Sequence, residues 1–193
     1  WTGTGSAGTV AHNLGSVPEW YIIKNRSDAN NWAVYHQKSN SNPEQYALYL
    51  DGTSAATDDS GLANDTAPTS TVFSLTNGNY GNQNTYNYIG YFFAEKQGYS
   101  KFGKYVGLNS SNGNFVYLGF RPKTIFFKRI DSTGDWRIYD DQRDGFNIKN
   151  DYLEINTSDV ESDTDSGSQW DILSNGFKFS GATDAEFAGG GTY

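Results

Sequence analysis

The sequence predicts an all-β fold, a jelly-roll-like β-sandwich built from two repeats, residues 1–104 and 105–193. Three observations lead there. Short runs of aromatic and β-branched residues alternate with Gly- and Asn-rich turns, the pattern of sandwiches and barrels. No window of a dozen residues holds a clean helical period. The chain also repeats itself: moved by 104 positions, residues 1–36 lie on 105–140 without a gap.

The strands follow in order. Tyr21–Lys24 and Ile125–Arg129 each come shortly after a proline, Pro18 and Pro122, and proline suits a strand entrance. In Trp32–Tyr35 and Trp136–Tyr139, alternation puts Trp and Val or Ile on one face. Tyr46–Leu50 alternates in the same way. Tyr86–Phe93 and Phe115–Phe120 are long enough for central strands. Asn77-Gly78, Asn112-Gly113, Thr133-Gly134-Asp135 and Asn175-Gly176 mark turns between them.

The overlay carries eight identities. Gly3 meets Gly107, Ser6 meets Ser110, Leu14-Gly15 meets Leu118-Gly119, and Pro18 meets Pro122. Lys24 meets Lys128, Trp32 meets Trp136, and Tyr35 meets Tyr139. Shared residues are expected to serve the fold. Gly15 and Gly119 are read as special backbone angles, and Trp32 and Trp136 as core. Lys24 and Lys128 are either partners of a carboxylate or solvated strand exits. Leu, Ile and Val total only 25, a thin supply for two separate cores. The reading therefore favours two copies interlocked in one sandwich over two small sandwiches. Copy two stops at Tyr193, in line with Tyr88, so it is expected to lack its last strand. The chain begins with Trp1 and holds no Met, so it is expected to be part of a longer polypeptide.

Composition narrows the function. With 14 basic and 22 acidic residues the formal charge is −8, which argues against nucleic acid or an anionic membrane as partner. No stretch approaches the roughly 20 apolar residues of a membrane helix. Without Cys there is no disulfide framework and no Zn–Cys site. The 31 aromatic residues outnumber Leu, Ile and Val, which argues against disorder.

Catalytic patterns are weak. No Gly-x-Ser-x-Gly elbow is present, and the two histidines, His12 and His36, have no counterpart in the other copy. Asp140, Asp141, Arg143, Asp144 and Glu154 form an acidic group in copy two, and glycosidases need only two carboxylates. A polar loop with an ion pair is the plain alternative. Asp159, Glu161, Asp163 and Asp165 alternate along a second acidic run, and several oxygens close together suit Ca²⁺. The run has no EF-hand pattern, and a solvated loop is the competing reading.

Binding fits the composition better. Gly, Asn, Ser and Thr make up 76 of 193 residues. Rigid rings give contact area at low entropy cost, while amides and hydroxyls give hydrogen bonds. A sugar stacks on such rings and bonds to such amides. The densest segment contains Asn79, Tyr80, Asn82, Asn84 and Tyr86. Trp20 and Trp170 join the candidates because copy two has Thr124 at the first position and copy one has Thr66 at the second. No catalytic residue is assigned, and no cofactor is expected beyond calcium.

The whole set of motifs resembles a family. It comprises Trp1-Thr-Gly-Thr-Gly-Ser, Leu14-Gly-x-x-Pro18-x-x-x-Ile-Ile-Lys24, Trp32-x-Val-Tyr and Phe92-Phe-Ala-Glu95. It continues with Gly119-Phe-x-Pro122, Ile125-Phe-Phe-Lys128, Trp136-x-Ile-Tyr-Asp140-x-x-Arg143 and Ser174-Asn-Gly-Phe177. This is similar to a β-rich module found in tandem in tail-fibre-like proteins of marine and cyanobacterial phages. The resemblance implies a virion-surface position, a receptor-binding role toward host cell-surface glycans, and a homo-oligomeric setting, with a trimer favoured. A structural spacer and a glycan depolymerase are the alternatives.

Overall fold

The computed structural model describes residues 1–110, 112–163, 169–179 and 189–193. The chain is mostly β, in antiparallel sheets, and it divides into two compact units, Trp1–Glu95 and Lys96–Tyr193.

Unit 1 holds β1 (Gly8–Ala11), β2 (Trp20–Asn25), β3 (Ala33–His36), β4 (Tyr46–Tyr49), β5 (Thr57–Asp58), β6 (Val72–Leu75) and β7 (Tyr88–Phe93). Its larger sheet runs β5-β4-β3-β2-β7, and β1 pairs with β6 in a second sheet. A single turn of helix, α1 (Ser60–Ala63), precedes β6. Asp59 caps it by accepting from the Gly61 N–H at 2.8 Å. The core draws Tyr21, Ile23, Ala33, Tyr35 and Ala47 from the large sheet and Phe73 and Leu75 from β6. Sheet therefore packs on sheet, with Tyr21 and Tyr35 stacked at 4.6 Å and Tyr21 against Phe73 at 5.6 Å.

Unit 2 holds β8 (Phe115–Tyr117), β9 (Thr124–Phe127), β10 (Arg137–Asp140), β11 (Asp151–Glu154), β12 (Ser162–Asp163), β13 (Trp170–Leu173) and β14 (Gly176–Phe179). Its sheets run β12-β11-β10-β9 and β13-β14-β8. The core is mainly aromatic: Phe127, Tyr139, Tyr152, Trp170, Phe177, Phe179 and Tyr193, with Ile172. Trp170 meets Tyr139 and Phe177 edge-on at 5.2 and 5.7 Å. Edge-to-face contacts suit the quadrupoles of crowded rings.

Positions 104 or 105 apart make the same contacts. Trp1 and Tyr88 stack at 5.6 Å, and the Tyr88 N–H donates to the Trp1 carbonyl at 2.9 Å. Tyr105 and Tyr193 stack at 5.3 Å, with the same bond at 2.9 Å. The Trp32 N–H donates to Asp51 Oδ1, and the Trp136 N–H donates to Asn156 Oδ1. Gly15 and Gly119 both take positive φ, 75° and 82°, a conformation open to glycine at little cost.

Three expectations change. The copies do not interlock strand by strand: among the described residues every paired strand finds its neighbours within its own unit. Aromatic area makes up for the scarce aliphatics, so each unit has a core of its own. Second, Trp136 is buried but Trp32 is only half-buried, with Lys24 Nζ 5.8 Å above its ring. Third, Lys24 and Lys128 do more than leave a strand. Lys24 Nζ donates to the Asn30 carbonyl, and Lys128 Nζ donates to the Arg129 carbonyl at 2.7 Å. Among the described residues β9 is at the edge of its sheet, whereas β2 lies between β3 and β7.

Burial pushes the Lys128 ammonium down to about 8. An unfolded lysine titrates near 10.5, so between these values the unfolded chain holds a proton that the folded chain has lost. Stability therefore rises with pH from about 8 toward 10. Burial raises the hydroxyls of Tyr21, Tyr35 and Tyr105 instead, so above about pH 10 the folded chain keeps protons that unfolded tyrosines lose, and stability falls. Urea midpoints followed by Trp fluorescence should rise across pH 8–10. The Lys128→Met variant should flatten that limb, and a wild-type midpoint that falls there would contradict the assignment.

Candidate functional site

Unit 1 carries a polar cleft of about 200 Å³ lined by Ala29, Asn30, Asn31, Gly61, Gly78, Asn79 and Tyr80. Three segments form it: the β2–β3 loop, α1, and the loop after β6. Each is pinned from beneath. The buried Asn25 accepts from the N–H groups of Ser27 and Asp28, shaping the start of the β2–β3 loop. Lys24 Nζ then holds the Asn30 carbonyl. Thr76 Oγ1 donates to the Gly61 carbonyl at 3.0 Å and accepts from the Gly78 N–H at 3.0 Å, tying α1 to the loop after β6.

The glycines keep the cleft open. A Cβ on Gly61 would lie 2.7 Å from Asp59 Oδ1 and 3.4 Å from the Tyr80 ring, and one on Gly78 would lie 2.9 Å from Thr76 Oγ1. Tyr80 is fixed by its hydroxyl, which lies 3.2 Å from the Tyr49 hydroxyl, and the Tyr49 hydroxyl donates its proton to Asp59 Oδ2 at 2.6 Å. Burial first, then the bonds to Asp59 and Tyr80, raises Tyr49 well above the ordinary phenol range, so it stays a donor. Asn31 and Asn79 are exposed. The Asn30 Nδ2 is buried and has no hydrogen-bond partner.

A family model described as a domain of unknown function, DUF7483, matches residues 1–193. The chain belongs to this family. No curated protein and no solved structure matches it.

Of the seven residues expected to bind a ligand, the structure brings Asn79 and Tyr80 to the cleft. Three others are corrected. Trp170 is 1% exposed at the centre of the unit 2 core, where β13 carries it. Trp20 is buried and stacks on Phe93 at 4.8 Å. Asn82 is buried and structural: its Oδ1 accepts from the Thr4 N–H at 2.9 Å, and its Nδ2 donates to Thr4 Oγ1 and the Ser6 carbonyl. Tyr86 is half-buried against the unit 1 core, and exposed Asn84 lies against Gly5. The cleft adds Asn30 and Asn31, which sequence reasoning passed over. Their signal was present, because Gly134 and Asp135 stand at those positions in copy two.

Three carboxylates of the first acidic group lie beside cations, while Asp144 accepts from the N–H groups of Asn150 and Asp151 instead. Arg143 Nε lies 3.0 Å from Asp140, Lys123 pairs with Asp141, and Arg137 Nε lies 3.2 Å from Glu154. Glu154 faces Arg137 at the start of β10, and Asp140 ends that strand three residues on, about 10 Å away. Burial works to raise Asp140, but bonds from the N–H groups of Gln142 and Arg143, with the Arg143 charge, hold it below its ordinary value. Bonds from Gln142 and Lys123 lower Asp141. A glycosidase acid needs the opposite shift, so neither Asp140 nor Asp141 is tuned as such an acid.

In the second acidic run, Glu161 is paired with Arg143, and Asp159 is exposed. Asp163 is described through its backbone in β12, and Asp165 lies outside the described residues. Among the described residues no group of three or more His, Asp or Glu side chains is placed to hold a metal ion.

If Asn82 is structural, Asn82→Ala removes three hydrogen bonds from a buried site. It should cost about 1–3 kcal/mol of stability, measured by urea denaturation, and leave any ligand affinity of the folded protein unchanged. A fully stable Asn82→Ala protein would return Asn82 to the candidates.

Proposed function

We propose that this chain is a duplicated, jelly-roll-like module of a phage tail-fibre-like protein that lies on the virion surface and attaches to host cell-surface glycans. The observation that carries the binding part is the unit 1 cleft, whose lining brings Asn30, Asn31 and Asn79 together with Tyr80. Amides match the paired hydroxyls of a sugar, and a ring fixed by its hydroxyl offers an apolar face to the C–H side. The duplication is supported by the matched Trp1–Tyr88 and Tyr105–Tyr193 stacks and by the sequence overlay. The fibre setting rests on the resemblance of the motifs.

A glycan array probed with the full chain tests the reading. Binding is expected to weaken at least tenfold, about 1.4 kcal/mol, in Asn79→Ala, with the unfolding transition unchanged. Tyr80→Phe keeps the ring and should retain most of the affinity. An array with no bound glycan would overturn the attachment role.

A second observation supports a multi-chain setting, with three chains favoured. Val106, Leu108, Phe115 and Tyr117 of unit 2 are exposed, Tyr117 by 66%. The Asn114 side chain links the first two to β8 by bonding the Val106 carbonyl and the Leu108 N–H. At a spacing of 104, copy one has Thr2, Thr4, Ala11 and Asn13 there, so the shared fold does not demand an apolar surface. Contiguous exposed apolar side chains mark contact sites, and a second copy of the chain is the proposed occupant. Sedimentation equilibrium at tens of micromolar should show self-association that Tyr117→Lys abolishes. A strictly monomeric protein would leave the spacer and fibre readings without this support.

A further inference from the structure

Resting on the glycan-binding reading, we infer that the unit 1 cleft takes a single uncharged hexose ring, such as the exposed end of a glycan chain, and excludes acidic sugars. Three features of the site select this class.

The first is size. At about 200 Å³ the cleft falls below the roughly 300–1,000 Å³ of sites that enclose drug-sized ligands. One pyranose ring fills such a space, and an internal segment of a polymer, with a linkage leaving on both sides, does not.

The second is charge. The lining consists of alanine, glycine, asparagine and tyrosine, with no cation. The Lys24 ammonium, which reaches the Asn30 carbonyl, is committed to that oxygen and lies over the Trp32 ring. Asp59, beneath Tyr49 and Gly61, adds negative charge below the floor, and its oxygens already accept from Tyr49 and Gly61. A carboxylate or sulfate brought here loses water and gains no counter-charge, which is costly. The formal charge of −8 opposes its approach as well.

The third is an unmet donor. A buried amide N–H₂ without an acceptor is costly, and Asn30 Nδ2 is in that state. Turning the amide about its soft terminal torsion presents the donor to a hydroxyl oxygen in the cleft. Asn31 and Asn79, which also line the cleft, each offer a donor and an acceptor, the pairing that two adjacent hydroxyls require.

The test titrates the full chain with methyl glycosides of glucose, galactose and mannose, and with the methyl glycoside of glucuronic acid, by chemical-shift perturbation. At least one neutral glycoside should bind in the millimolar range, shifting the Asn30, Asn31 and Asn79 amide signals. The glucuronide should bind at least tenfold more weakly. Asn79→Ala should weaken binding at least tenfold and Asn31→Ala several-fold, both at exposed positions and without altering the melting transition, and raising the salt should change affinity little. Equal or tighter binding of the glucuronide overturns the inference. So does binding unaffected by both substitutions, or binding of polysaccharides with none of the neutral monosaccharides, and in these cases the attachment role itself survives. If neither glycosides nor polysaccharides bind, both readings fall together.

Discussion

Ring-on-ring packing is the constraint that everything else in this chain depends on. With 25 Leu, Ile and Val residues, aliphatic burial alone supports neither unit, and aromatic side chains carry most of the apolar contact. Rings are rigid and directional, so they demand a frame that holds them at set angles. The frame is closed at one place in each unit. Trp1 meets Tyr88, and Tyr105 meets Tyr193, with backbone bonds running both ways across each pair. These clasps join segments 87 and 88 residues apart, so a backbone ladder and a stacked pair are set by the same contact.

That frame explains how a polar cleft can be well shaped although loops build it. Loops offer few apolar contacts of their own, so something beneath must fix them. In unit 1 this is done by buried or half-buried polar groups: Asn25 under the β2–β3 loop, Lys24 under Asn30, Thr76 between α1 and the next loop, and Tyr49 under Tyr80. Unit 2 repeats part of this strand plan but has other residues at these points. Gly134 and Asp135 stand where Asn30 and Asn31 stand, and Asp135 is used to hold Asn156. A shared scaffold with unlike loops is how one fold carries different surfaces.

Comparing the two copies separated fold from surface only in part. Matched residues did serve the fold, as Gly15 and Gly119 show with their common positive φ. Unmatched residues were harder to place. Trp170 differs from Thr66 because unit 2 places β13 there, against β14, and the tryptophan fills the core beneath it. Asn82 lies in a segment that reads as an adaptable polar loop, yet its amide anchors Thr4 and Ser6 from the opposite end of the unit. A residue absent from one copy can thus be structural in the other, because each unit closes its own gaps.

The sequence by itself determined the class of fold and the main strands. Those depend on local alternation and turn chemistry, which need no coordinates. It also determined that rings, amides and hydroxyls would dominate the available surface. Only the tertiary structure decided which of them are available. Burial depends on partners far apart along the chain: Asn30 and Asn79 reach one cleft, while Trp20, Asn82 and Trp170 turn inward. Sheet pairing likewise decided that each unit closes on itself, because hydrogen-bond partners are chosen by register in space and not by composition.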